Sequence, residues 1–334
     1  MKKPSVTKKI VLSIVAVAVV VLLINFLFLP LSGNLSRTDK PIATGNDYIV
    51  NHDGKTSLIS AHRAGGDLAP EETLKAFELC MTATNYKVDI VEFDLHMTKD
   101  EKLVLLHDDT VNRTSNATEH FGNKKVKVKD KTLAELKELN FGENFQAIDG
   151  SYPYRGLRGD DIPNEVKILT LDEILTYLTG VRPNLKYIIE IKDGGKIGEK
   201  ATDILCETIE RFGITKQVIL GTFKANVTKH MTKNYSHIAR SASIREVFDF
   251  YYAFLYGVKN VKTNFSVLQI PVGGKGIYDL STKAFVEYAH AHGIAVQYWT
   301  INDKDEIDRL IKNGADAIIT DNPEVAHGVL NSAK

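Results

Sequence analysis

Ile90-Val91-Glu92-Phe93-Asp94-Leu95-His96-Met97-Thr98-Lys99-Asp100-Glu101-Lys102-Leu103-Val104-Leu105-Leu106-His107 holds two apolar runs, 90–95 and 103–107, around a turn-like Thr98-Lys99-Asp100-Glu101. A parallel connection needs a dozen or more residues, so these runs can pair only as an antiparallel hairpin. Outside the hairpin, strand-like runs fall at 58–61, 187–191, 218–221, 237–239, 261–263, 295–299 and 317–320, with the pattern thinnest at 237–239 and 261–263. Helical periodicity at 71–84, 197–212, 281–292 and 304–312 fits between most of them. Setting aside 103–107 as the hairpin's return strand leaves eight strands, each followed by a crossover. The economical closure is an α/β fold, a (β/α)8 barrel with an inserted hairpin.

A long insertion, 108–168, follows the hairpin, with one clear helix at 132–139 and a Gly- and Tyr-rich stretch at 142–161. A loop of this length inside a compact domain usually has a task, and part of the pocket wall is the expectation. The chain start differs in character. Residues 1–9 carry Lys2, Lys3, Lys8 and Lys9, and 10–29 are almost wholly apolar, with Ser13 and Asn25 the polar exceptions. About 20 such residues cross a bilayer. The run ends without a small-residue cleavage pattern, so it is expected to be a single uncleaved transmembrane helix. The lysines put 1–9 in the cytoplasm, the barrel outside, and the protein at the cell membrane. Residues 30–56 are polar and turn-rich, a linker, and 57–334 form the barrel domain.

The 334 residues carry 42 Lys+Arg and 42 Asp+Glu, so no global field draws in nucleic acid, and any anion must be recognised locally. Cys80 and Cys206 are the only cysteines. They make no disulfide framework and no zinc spacing, and are expected to be buried in helices.

In such barrels chemistry sits at the carboxyl ends of the strands. The polar residues there are His62 and Arg63, Glu92 and Asp94, Glu190 and Lys192, Trp299, and Asp321. Glu92 and Asp94 are two apart and share one face. Two carboxylates pointing into a barrel are costly unless a cation joins them, and oxygen ligands suit one Mg2+ or Ca2+. Glu190 is the natural third ligand. Arg63 and Lys192 would balance the excess charge and hold an anionic substrate such as a phosphate, with Trp299 on the substrate side. The hairpin returns His107 roughly across from Glu92, and with His62 two imidazoles flank the metal, one to accept a proton while the other donates. Taken singly, each residue has a structural reading: a hydrogen-bonded His, a solvated Glu-x-Asp face, an ordinary ion pair. Their convergence on one barrel end is what favours chemistry.

These residues resemble the glycerophosphodiester phosphodiesterase family. The matching stretches are Ala61-His62-Arg63, Pro70-Glu71-Glu72-Thr73-Leu74, Val91-Glu92-Phe93-Asp94-Leu95, Leu106-His107-Asp108, Asn112-Arg113-Thr114, Glu190-Ile191-Lys192, Tyr298-Trp299-Thr300-Ile301-Asn302 and Gly314-Ala315-Asp316 through Thr320-Asp321-Asn322-Pro323. The resemblance implies the same barrel and hydrolysis of glycerophosphodiesters to glycerol 3-phosphate and an alcohol. It matches His62 and His107 to the acid/base pair and Glu92, Asp94 and Glu190 to the metal ligands. Two departures bear on substrate choice: Ala64 replaces a glycine, and Glu72 replaces an asparagine. Other readings are a phosphodiesterase acting on lysophospholipids or polyglycerol-phosphate polymers, with the lysines at 124, 125, 127, 129 and 131 facing an anionic surface, and a non-catalytic binding protein on the same scaffold.

Overall fold

The computed structural model describes residues 15, 17, 19, 20, 45–259, 261–273 and 278–332. All eight residues of β2 (Ile90–Met97) are buried, as expected of a parallel strand covered on both faces. Its neighbours are β1 (Leu58–Ala61) and β4 (Lys186–Ile191), both parallel, in registers that include Ala61 beside Val91 and Asp94 beside Glu190. The ring continues through β5 (Val218–Gly221) and β6 (Ala239–Arg240) on one side, and through β9 (Ala317–Thr320), β8 (Ala295–Tyr298) and β7 (Val267–Ile270) on the other. The seam between β6 and β7 is one parallel bridge, Ser241 to Val267, with Ala242 N donating to Val267 O at 2.9 Å. The eight parallel strands thus make a nearly closed barrel. β3 (Leu103–Leu105) hangs on β2 alone, antiparallel, with Leu95 opposite Leu105 and Met97 opposite Leu103.

Strand periodicity divides the core. Val91, Phe93 and Leu95 face outward and pack with Phe77 of the helix Leu74–Thr82 and with Ile174 and Leu178 of the helix Leu171–Val181. Ile90, Ile188, Ile219, Val267, Ala317 and Ile319 pack together inside the barrel. Period two puts Glu92 and Asp94 on the face of Ile90, and Glu190 on that of Ile188. The barrel is therefore apolar at its foot and ionic at its mouth.

Several expectations change. The seventh barrel strand is Val267–Ile270, not 261–263. Val267, Leu268 and Ile270 are buried and pair with β8, whereas exposed Lys262 interrupts the earlier run. The sixth strand is only Ala239–Arg240. Helices Leu171–Val181, Ala225–Asn234, Ile244–Leu255 and Pro323–Ser332 add to those expected. Two of them were legible as capping boxes, Thr170 with Glu173 and Ser243 with Glu246. In the stretch assigned to the linker, residues 46–51 are packed onto the barrel foot: Tyr48 is buried, and Asp316 Oδ1 accepts the amides of Val50 and Asn51.

The insertion has its own small core, including Val111, Val128, Leu136, Leu139 and Phe141, packed under Val104 and Leu106. None of residues 108–168 lines the main cavity, so the expected pocket wall is not formed there. The expected transmembrane helix, 10–29, lies outside the described residues apart from Val15, Val17, Val19 and Val20, which are helical. Among the described residues no helix is long and apolar enough to cross a membrane.

Candidate active site

A cavity of about 190 Å3 opens at the carboxyl ends of the strands. His62, Arg63, Glu92, Asp94, His107, Glu190, Lys192 and Trp299 all line it, so every site residue expected from the sequence is brought together. The strand pleat aims the three carboxylates inward, and the hairpin carries His107 to the same mouth. The β2–β3 register extends His107 to a position opposite Phe93 rather than Glu92, with Leu106 N donating to Asp94 O at 3.1 Å.

The turn after β1 is shaped by left-handed residues. Arg63, Ala64 and Glu72 have φ of 49°, 62° and 57°. Each such non-glycine residue costs about 1–2 kcal/mol, and such strain collects where surrounding contacts over-determine it. Here Arg63 N donates to Glu92 Oε2 at 2.8 Å and Glu72 N donates to Arg63 O at 3.0 Å. Ala64 is buried and lies in the left-handed region within this turn. Glu72 is also buried, does not line the cavity, and accepts the amide of Asp94 at 2.6 Å. Burial, reinforced by Asp94, Glu71 and Glu92, pushes its carboxyl well above the usual range. It braces the backbone of Asp94 from behind.

Burial and the neighbouring Asp94 raise the carboxyl of Glu92 to about 8 and that of Glu190 to about 7. Lys192 Nζ lies 3.1 Å from Glu190 Oε1 and 3.4 Å from Asp94 Oδ1, and Arg63 Nε is 3.8 Å from Asp94 Oδ2. Both carboxylate oxygens of Asp94 are buried without a hydrogen-bond donor. Among the described residues no three His, Cys, Asp or Glu side chains are drawn into a formed metal cage. The chemistry of the donor set nevertheless fits a divalent cation: hard oxygen donors, two of them unsatisfied, in a site where further positive charge would let Glu92 and Glu190 ionise.

Each histidine leans on an aspartate through Nδ1: His62 on Asp321 Oδ1 at 2.6 Å, His107 on Asp108 Oδ1 at 2.7 Å. An ionised carboxylate only accepts, so Nδ1 carries the hydrogen and Nε2 is the atom that can exchange a proton. The two rings are displaced in opposite directions. Burial lowers His62, but the Asp321 hydrogen bond and the charge of Glu92 outweigh it and leave it raised. Burial dominates at His107 and leaves it lowered. At neutral pH His62 is thereby biased to give a proton and His107 to take one.

The supporting residues carried no role in the sequence reading. Asp321 also accepts from Asn302 Nδ2 at 2.8 Å, and Asn302 Oδ1 accepts from Thr320 Oγ1 and from Asp321 N. Arg113 braces the other side, donating from Nε to Asp108 Oδ2 at 2.6 Å and from Nη2 to Glu71 Oε1 at 2.6 Å. Phe223 meets Trp299 edge-on, ring centres 5.9 Å apart, and both line the cavity. Apart from Phe223 these residues stand in the motif stretches, in Pro-Glu-Glu-Thr, His-Asp, Asn-Arg-Thr, Thr-Ile-Asn and Thr-Asp-Asn-Pro; only their partners were invisible.

The model of the glycerophosphoryl diester phosphodiesterase family matches residues 62–325. A glycerophosphodiester phosphodiesterase of Caldanaerobacter subterraneus is 29% identical over 273 residues, covering 80% of this chain and 95% of that protein. Among solved structures, a putative glycerophosphoryl diester phosphodiesterase of Silicibacter pomeroyi superposes with a TM-score of 0.67 at 17% identity, over 86% of this chain and 96% of that one. An Oleispira antarctica phosphodiesterase, solved in complex with the product sn-glycerol-3-phosphate, gives a TM-score of 0.61 at 21% identity, over 83% and 97%. At these identities the two structures speak for the barrel alone.

Proposed function

Since the chain belongs to the glycerophosphoryl diester phosphodiesterase family, we propose that it hydrolyses glycerophosphodiesters to glycerol 3-phosphate and an alcohol with a divalent cation, Mg2+ or Ca2+. The observation that carries this reading is the pair of oppositely displaced imidazoles facing one cavity with Arg63, Lys192 and three carboxylates. Arg63 and Lys192 bind the phosphoryl oxygens. Trp299 and Phe223 give carbon atoms of the substrate an apolar wall. Glu92, Asp94 and Glu190 would hold the cation, which when bound supplies positive charge to the phosphate and to the attacking hydroxyl.

In the first step His107 Nε2 takes the proton of the neighbouring glycerol hydroxyl as that oxygen attacks phosphorus. His62 Nε2 gives its proton to the departing alcohol oxygen, leaving a cyclic phosphate. In the second step His62 accepts a proton from water as the water attacks. His107 returns its own to the oxygen released when the ring opens. Asp321 and Asp108 keep both rings aimed and in the required tautomer. An internal nucleophile needs no separate capture, which lowers the entropic part of the barrier.

The test is release of glycerol 3-phosphate from glycerophosphocholine or glycerophosphoethanolamine by the purified protein with Mg2+ or Ca2+. His62→Ala and His107→Ala should each lower kcat by roughly 10²–10⁴-fold with folding intact. Failure with every glycerol-containing diester, or unchanged turnover in both variants, overturns the proposal.

We also place the protein at the cell membrane as a single-pass protein with the barrel extracytoplasmic, on the strength of the apolar run 10–29 and the lysines before it. Protease added to intact cells should remove the barrel. A barrel untouched in intact cells but degraded after lysis would refute this topology.

A further inference from the structure

A second cavity, also about 190 Å3, shares Lys192 with the first. Lys127 and Lys129 reach it from the insertion and Lys224 from the loop after β5. Among the described residues these three lysines make no ion pair. The wall also contains His96, 2% exposed. Its Nδ1 is held by Asp193 Oδ1 at 2.9 Å, while its Nε2 is buried with no hydrogen-bond partner. Gly194 and Ile197 bring in the start of the 17-residue helix Gly195–Arg211, whose amino end is electropositive.

Two carboxylates stand against these groups. Asp193 is already engaged, accepting from His96 and from Met97 N at 2.7 Å. Asp109 Oδ1 is 3.8 Å from His96 Nε2, beyond hydrogen-bond distance, and its side chain is 82% exposed and able to turn to solvent. The three unpaired lysines and the helix amino end outweigh them and call for an oxyanion.

We infer that this cavity is a second phosphate site, taking the next phosphate of a substrate that carries phosphodiesters on successive glycerol units. Lys192 lines both cavities, with its ammonium on Glu190 and Asp94 of the first, so the two adjoin and one such molecule can touch both. The inference rests on the phosphodiesterase reading of the first cavity and adds the class of substrate. It also gives the lysines of the insertion a task that packing alone does not.

The experiment compares two substrates at fixed ionic strength: glycerol–phosphate–glycerol, with one phosphate, and glycerol–phosphate–glycerol–phosphate–glycerol, with two. The wild type should favour the second by at least about tenfold in kcat/KM, mostly through KM, since charge-assisted contacts of this kind are worth a factor of that order. The triple variant Lys127→Ala, Lys129→Ala, Lys224→Ala should lose the preference and keep its activity on the one-phosphate substrate. Equal use of both substrates by the wild type, or a preference that survives in the variant, overturns the inference while leaving the phosphodiesterase reading intact. Titration with inorganic phosphate separates the sources of the anion and still decides if neither substrate is cleaved. Two sites in the wild type and one in the variant support the second site. The same number in both proteins refutes it. Two sites falling to one without a substrate preference would assign the cavity to free phosphate and overturn the substrate class.

Discussion

His62 and His107 are the same residue type at the same cavity, and their neighbours alone set them apart. Asp321, held by Asn302, and Glu92 outweigh burial and raise His62, whereas burial lowers His107 despite Asp94 and Asp108. Activity needs His62 protonated and His107 neutral, so its pH profile is expected to be bell-shaped, with His62 on the alkaline limb. Asp321→Asn removes an influence that raises His62, so the alkaline limb should move to lower pH while the acid limb stays in place. A kcat/KM profile over pH 5–10 checks this; an unmoved alkaline limb would take His62 out of the acid role. Glu72 makes a different contribution. Burial pushes its carboxyl well above the usual range, and it serves as a hydrogen-bond acceptor for Asp94 N. Glu72→Gln keeps that acceptor, so fold and activity should be retained. Glu72→Ala leaves a buried amide unpaired, at a cost of about 1–3 kcal/mol in a denaturant titration.

Among the elements, the hairpin and its insertion do the most to individualise the barrel. β3 pairs with β2 for only three residues, yet the chain beyond it returns His107 to the mouth and then spends sixty residues on a satellite core. Leu136, fully buried there, anchors the capped helix Leu133–Lys137. Leu136→Ala should destabilise the protein by roughly 2–5 kcal/mol in urea unfolding. Because the insertion lines the second cavity and not the first, KM for a one-phosphate diester should change little. A large rise in that KM would show that the insertion shapes the first cavity after all.

At the level of the whole molecule, charge is balanced overall and unbalanced locally. Equal numbers of acidic and basic residues hide a barrel mouth where Glu92, Asp94 and Glu190 crowd together behind Arg63 and Lys192. A cation that binds only the folded mouth must stabilise the fold, by about 2.7 kcal/mol at one hundred times its Kd. For a domain of this size that is a rise in Tm of roughly 4–5 °C. Thermal unfolding of chelator-treated protein with and without Ca2+ or Mg2+ measures it, and Glu92→Gln or Glu190→Gln should abolish the shift. No shift with either ion in the wild type would remove the cation from the mouth.

Local pattern determined what depends on periodicity and spacing. The seven-residue gap between 95 and 103 forced a hairpin, alternation put Glu92 and Asp94 on one face, and the motif stretches named every residue expected at the mouth. Tertiary structure decided what depends on partners far apart in the chain. Val267–Ile270 became a strand because β8 runs beside it, although Gln269 breaks its apolar run. Asp321 became the partner of His62 across 259 residues. Lys127, Lys129, Lys192 and Lys224 met at one cavity from three separate segments. Spacing along a chain fixes which neighbours share a face; only the closed barrel brings its first strand against its last.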